Sequence, residues 1–205
     1  MNFITFAREL NNFPAFSLKE INKLSGKVYY HRLAEWQKKG YIRRIANGIF
    51  VFADVNLDEM HLFYLANRIY EPSYISLESA FAYYGFIPES VYRITSVSTK
   101  KTSEFRYDDI VFSYRTIHRR FNFGYNLINW KNVTVKIAEP EKAVIDYFYL
   151  NPEINTNNHI NEMRFNVMTM NELIDWDKVS RYLGLYDNKN LRKRMHLVKE
   201  WTEHA

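Results

Sequence analysis

Five side chains, Lys27, Tyr30, His31, Ala34 and Lys38, fall within about 100° of arc when residues 27–39 are wound as a helix. Two ammonium groups, a phenol and an imidazole around a small alanine suit contact with phosphates and base edges, and the alanine permits close approach. On the same wheel Tyr29, Leu33 and Trp36 lie nearly opposite, which predicts one packed face and one presented face. A hairpin follows, Tyr41–Ile45 and Ile49–Phe52 joined at Asn47-Gly48, a turn sequence suited to positive φ at both central positions. Alternation puts Arg43 and Arg44 on opposite faces, so one of them can meet phosphate directly. Lys27, Tyr30, His31, Ala34, Lys38, Arg43, Arg44 and Asn47 are the candidate DNA-contacting residues.

A second set, Glu139, Glu141, Lys142 and Asp146, has the residue types of an acid–base site. Carboxylates in a first turn are explained more simply by the helix dipole, and Glu141 to Asp146 otherwise scatter round the helix, so no catalytic residue is assigned. Asp108, Asp109 and the strand Val133–Lys136 lack the second carboxylate that a Mg²⁺-dependent nuclease needs beside its lysine, since Thr134 stands there. The chain has no cysteine, and its six histidines show no pair at metal-ligand spacing, so neither metal nor cofactor is expected.

The elements that carry the first set are basic as a group. Residues 1–52 hold nine Lys and Arg against three Glu, whereas the other 153 hold 19 basic and 20 acidic side chains. A polyanion partner needs such local concentration, because affinity grows with the number of cations displacing counterions together. Aromatic residues make up 17% of the chain and are assigned to the core rather than to stacking platforms. The absence of cysteine, of a signal-type apolar run and of a membrane-length segment predicts a cytoplasmic protein with no membrane partner.

Helical spacing of Phe3, Phe6, Ala7 and Leu10 predicts a first helix, stopped by Asn11, Asn12 and Pro14. Ser17 and Glu20 form a capping box for a second helix carrying Leu18, Ile21 and Leu24. Ser25 is placed as the cap of the third, which Gly40 ends. This pattern predicts a winged helix-turn-helix over 1–55, a connecting helix within 56–72 and a mixed α/β domain over 73–205, an α+β protein overall. Leu77–Tyr84 reads as a helix closed by Gly85; Val91–Thr99, Ile110–Tyr114 and Val133–Ile137 read as strands of a small sheet. Pro140 begins a helix whose buried side is Ala143, Val144, Tyr147, Phe148 and Leu150, and the chain from Asn151 is a helical third. Its last helix presents Lys189, Arg192, Lys193, Arg194 and Lys199 around Leu191, Met195 and Val198, read as a solvated face on a packed helix.

Three blocks carry a resemblance: KKGYIRRIANGIFVF, then PSYISLESAFAYYGFIPESVYRITSVSTKK, then FNFGY with AEPEKAVIDYFYL. In the order of their S-L-E-S-A, Y-Y-G and P-E-K-A elements the chain resembles AbiEi-type antitoxins of bacterial abortive-infection, or type IV, toxin–antitoxin systems, over most of residues 15 to 150. The resemblance implies an N-terminal winged helix that represses its own operon at repeated promoter sequences on double-stranded DNA. It also implies a C-terminal domain that counters a nucleotidyltransferase-like toxin without a stable complex. A winged-helix adaptor, or an RNA-binding protein with no toxin partner, is the alternative.

Overall fold

The computed structural model describes residues 1–88 and 93–204. It begins with α1 (Phe3–Leu10), β1 (Phe16–Ser17), α2 (Leu18–Ile21), α3 (Tyr30–Lys38), β2 (Ile42–Ala46) and β3 (Ile49–Phe52). Asn2 caps α1 by accepting from the Thr5 N–H at 2.9 Å. The expected capping box is present at α2, with the Ser17 N–H donating to Glu20 Oε2 at 2.7 Å. The helix is only one turn long, so Leu24 packs from the loop beyond it.

Strands β1, β3 and β2 form an antiparallel sheet in that order. The β2–β3 turn departs from the expected form: Gly48 alone takes positive φ (74°), and the register slips between Arg44 and Ala46, leaving Ile45 as an extra residue. Ile42 and Ile45, three apart, face opposite sides of the strand, and both are buried, in two different places. Ile42 and Phe50 join Phe6, Phe16, Leu33 and Trp36 in one cluster. Ile45, Ile49 and Val51 belong instead to the main core, with Phe63 and Tyr64.

The remainder is α4 (Glu59–Ile69), β4 (Ser73–Ile75), α5 (Leu77–Tyr84), β5 (Arg93–Ser98), β6 (Ser103–Tyr107), β7 (Ile110–Thr116), β8 (Tyr125–Trp130), β9 (Val133–Ala138), α6 (Pro140–Leu150), α7 (Asn157–Glu162), α8 (Val167–Leu173), α9 (Trp176–Leu183) and α10 (Lys189–His204). The six strands order as β6-β7-β5-β4-β9-β8, mixed in direction, with β5/β7 and β4/β9 parallel. Val91, the expected start of the first of these long strands, lies outside the described residues. Two strands, β6 and β8, were not anticipated, and α4 is more than a connector, since it packs directly on the sheet with six of the seven positions from His61 to Asn67, all but Leu62, buried.

Register fixes the layering. Ile75, Ser96, Tyr114 and Ile137 are mutually paired neighbours and share one face. There the Tyr114 hydroxyl donates to the Ala66 carbonyl of α4 at 2.8 Å. Tyr74, Val97 and Arg115 share the other face, where Tyr74 reaches Asp146 and Arg115 donates to the Leu150 carbonyl at 2.8 Å, both on α6. Helices therefore cover both faces of the sheet, giving an α+β protein with its C-terminal helices packed against α6.

At the start of α5, Leu77 sits at φ 59°. A left-handed leucine costs roughly 1–2 kcal/mol. Thr95 holds it in place, donating to the Ser76 carbonyl at 2.8 Å and accepting from the Ser79 N–H at 2.9 Å. Gly85 closes the helix in the left-handed region as expected (φ 72°).

Arg68 of α4 ties the two cores together, with Nη2 3.0 Å from Glu20 Oε1 and Nη1 donating to the Tyr64 hydroxyl at 3.1 Å. Burial alone would raise the Glu20 carboxyl, but hydrogen bonds from Ser17 and the charge of Arg68 outweigh it and hold it at about 2, against an ordinary 4.5. A depressed folded-state value means a stabilisation fully present above the unfolded pKa and lost as pH falls towards 2. Glu20→Gln should therefore remove part of the acid-limb loss of stability between about pH 4.5 and 2. Urea unfolding of the parent and variant at several pH values checks this; equal slopes would show that the contact carries no linkage.

Candidate nucleic-acid interface

Helix α3 starts later than its sequence periodicity predicts. Ser25 does not cap it: its N–H donates to Glu9 Oε2 at 2.9 Å and its hydroxyl to Glu9 Oε1, which fastens the loop to α1 and lowers the Glu9 carboxyl. Residues 27–29 have no regular secondary structure, and Tyr29, extended at φ −90° and ψ 146°, takes the N-cap position. Lys27 consequently lies ahead of the helix rather than on it. Leu33 and Trp36 are buried as expected, with Trp36 packed on Phe3 and Phe6 at centroid distances of 5.5 and 4.6 Å.

Tyr29 departs from its assigned packed face. It is 52% exposed, stacks on His31 at 5.7 Å and carries the Lys27 ammonium 5.0 Å above its ring. Tyr30 stands beside this stack, 74% exposed, and His31, Ala34 and Lys38 are exposed in turn. Lys27, Tyr29, Tyr30 and His31 thus form a cationic aromatic tip at the N-terminal end of α3, with Ala34 and Lys38 continuing along the helix. Tyr29 was missed because its side is set by the true start of the helix, which a non-local bond from Ser25 to Glu9 determines.

The hairpin separates its two arginines. Arg43 turns inward, its Nη2 donating to the Val55 carbonyl at 2.7 Å and its Nε buried without a partner. Arg44 is exposed and donates to Asn47 Oδ1 at 2.6 Å, which brings this pair together at the end of the hairpin. β2 packs on α3 and is an edge strand of its sheet.

Two other cations of the segment, Arg32 and Lys39, are paired. Glu35 accepts from both Arg32 Nη1 and Lys39 Nζ at 2.7 Å, which lowers its own carboxyl and raises Lys39. Among the described residues no carboxylate lies at ion-pair distance from Lys27, Lys38 or Arg44. At the other end of the chain Arg194 is a further correction: it is 8% exposed and donates to the Phe148 carbonyl from Nε and Nη2, so it does not belong to a solvated face.

The acid–base set is also placed differently from its sequence reading. Glu141, Lys142 and Asp146 are not dispersed round a half-exposed helix, because α6 is buried continuously from Glu141 to Phe148. Lys142 and Asp146 pair with each other at 0% exposure. The Lys142 ammonium donates to the Tyr74 hydroxyl at 2.7 Å, and the hydroxyls of Tyr74 and Ser76 donate to Asp146 Oδ2 at 2.8 and 3.0 Å. Burial lowers the Lys142 pKa and raises that of Tyr74 well above its ordinary value. Glu139 and Glu141 reach the other way, to Lys178 of α9 at 3.2 and 3.1 Å. With both charges fully enclosed, the pair is closed to solvent and to any substrate in this structure.

No protein-family model matches the chain, and no curated protein matches it significantly. Among the described residues no helix is long and apolar enough to cross a membrane.

Lys142→Met would leave Asp146 charged and unpaired in the core, a loss of about 3–5 kcal/mol. Lys142→Met/Asp146→Leu should recover about 1–3 kcal/mol of it, short of the parent because Tyr74 and Ser76 lose their acceptor. Denaturant unfolding of the three proteins measures both, and a single variant as stable as the parent would exclude a charged pair.

Proposed function

We propose that residues 1–55 act as a winged helix-turn-helix that binds double-stranded promoter DNA, α3 entering the major groove by its N-terminal end and the β2–β3 hairpin serving as the wing. The observation that carries this reading is the solvent-facing group of Lys27, Tyr29, Tyr30 and His31 at one helix end, its cation paired with no carboxylate among the described residues. Lys27, Lys38 and Arg44 supply phosphate contacts, while Tyr30, His31 and the space over Ala34 face the bases. Arg44 and Asn47 bind as a unit, their mutual hydrogen bond presenting the guanidinium outward.

On the strength of the three sequence blocks, the chain is further read as the repressor and antitoxin of a type IV toxin–antitoxin system, acting in the cytoplasm. In this reading it regulates its own operon and counters a nucleotidyltransferase-like toxin. Within these blocks S-L-E-S-A supplies Ser76 and P-E-K-A supplies Lys142, so both contribute to the buried polar network. The chain is read as non-enzymatic, since its most catalytic-looking residues are enclosed.

Replacing Lys27, Tyr30 and His31 together by alanine removes exposed side chains only, so the fold should persist while promoter affinity falls at least about a hundredfold. The parent protein should show a log–log salt slope of roughly −3, from about −0.9 for each of the three phosphates contacted. Mobility shifts with promoter DNA, random duplex and tRNA check both. Normal shifting by the triple variant rejects the assignment of α3, and equal weak binding to all three nucleic acids favours the adaptor or RNA reading. Growth rescue of cells expressing a toxin encoded beside the chain tests the antitoxin half separately.

A further inference from the structure

A cleft of about 450 Å³ lies where the N-terminal elements meet the tip of the β8–β9 hairpin. Its walls include the rings of Phe3, Phe13, Tyr41 and Phe52, and its floor includes His61. That volume is within the range of small-molecule sites, which pair apolar walls with a few placed polar groups.

His61 is the unusual element. It is 3% exposed, and neither ring nitrogen reaches a hydrogen-bond partner. Its nearest carboxylate, Asp58, stands 3.7 Å from Nδ1 and is already engaged, with Oδ1 accepting from the backbone N–H of His61 at 2.9 Å. The Pro14 backbone lies close without hydrogen-bond geometry. Burial, reinforced by the positive charge of Lys131, holds the ring below its ordinary pKa and hence neutral. A neutral imidazole has one N–H donor and one lone-pair acceptor, and leaving both unmet in a core is costly.

The ring is nevertheless held firmly, edge to face against Trp130 at 4.6 Å, while the ammonium of Lys131 sits 4.4 Å above the opposite partner of that contact, the Trp130 ring. Lys131 reaches the cleft from a turn position with φ 51°. Lys131 and Asp54 line the cleft as one cation and one anion, so no net field favours a polyanion. The rim carries the carboxamides of Asn11 and Asn12.

We propose that this cleft binds a planar heteroaromatic molecule with a mixed donor–acceptor edge, of nucleobase or nucleoside size. The rings supply stacking surface, His61 supplies the complementary edge, and the balanced charges admit an uncharged ligand. This site is separate from the α3 face and does not depend on the DNA reading.

Full-length protein titrated with adenosine, guanosine, cytidine and uridine, followed by tryptophan fluorescence and saturation-transfer NMR, tests it, with benzoate as the anionic comparison. At least one nucleoside should saturate with Kd below about 1 mM. His61→Phe keeps a ring against Trp130 but removes both polar atoms, and should weaken binding about fivefold or more. Phe13→Ala, at a ring 39% exposed and safe for the fold, should weaken it in the same direction. Failure of all four nucleosides to saturate, unchanged affinity in Phe13→Ala, or saturation by benzoate alone would overturn the proposal.

Discussion

A lysine and an aspartate that meet no water must neutralise each other, and this requirement governs the centre of the molecule. Lys142 and Asp146 are one helical turn apart on α6, so the helix supplies the pairing, but the remaining lone pairs and protons need partners from elsewhere. β4 provides them through Tyr74, and the β4–α5 junction through Ser76. The same junction contains the left-handed Leu77, so strain and polar satisfaction occur within two residues of each other. Across α6, Gly124 approaches so closely that a Cβ there would lie 3.2 Å from the Lys142 side chain and 3.0 Å from Tyr182. A charge pair buried this way contributes little net stability, yet any other packing of α6 would strand one charge, so it discriminates strongly between arrangements.

The small N-terminal sheet works by a different principle, since both of its faces are buried. Phe50 faces the helical cluster while its neighbours Ile49 and Val51 face the main core. The same division runs through β2, with Ile42 on one side and Ile45 on the other. The hairpin is therefore a shared wall and not a free flap. Glu20 reinforces it by serving twice, as half of a capping box and as the ion partner of Arg68. The attitude of α3 relative to the large sheet is thus set by apolar packing as well as by one bridge.

Legibility in the sequence followed the range of the interaction responsible. Devices closed within four residues were readable: the Ser17/Glu20 box, Gly85 after α5, Pro140 at the start of α6. The start of α3 was not, because Ser25 answers to Glu9 sixteen residues away. Strands β6 and β8 escaped notice because each is an edge strand with alternating exposure, and Asn126 and Asn129 dilute the β signal of the latter. Alternation correctly separated Arg43 from Arg44, but only the Val55 carbonyl decides which turns inward. The pairing of Lys142 with Asp146 was not read from the sequence, since i, i+4 spacing says nothing about whether a helix is enclosed on every side. The enclosure comes from β4, α5, α9 and α10, none of which is near in sequence to both residues.

Charge counting has a corresponding limit. Nine cations against three carboxylates in residues 1–52 describe a composition, whereas a polyanion meets only the cations left free at the surface. Glu35 engages two of them on α3 itself and Val55 holds a third. The carboxylates are not spread evenly: Glu9 fixes the loop before α3, Glu20 faces Arg68, and Glu35 lies between Arg32 and Lys39. Each is therefore committed to a contact within the scaffold, and none is at ion-pair distance from Lys27. The compensating charges are used to build the scaffold, so the net count does not say where the free cations lie. An anion approaching the molecule would respond to that placement, which depends on fold, before it responds to the net charge, which does not.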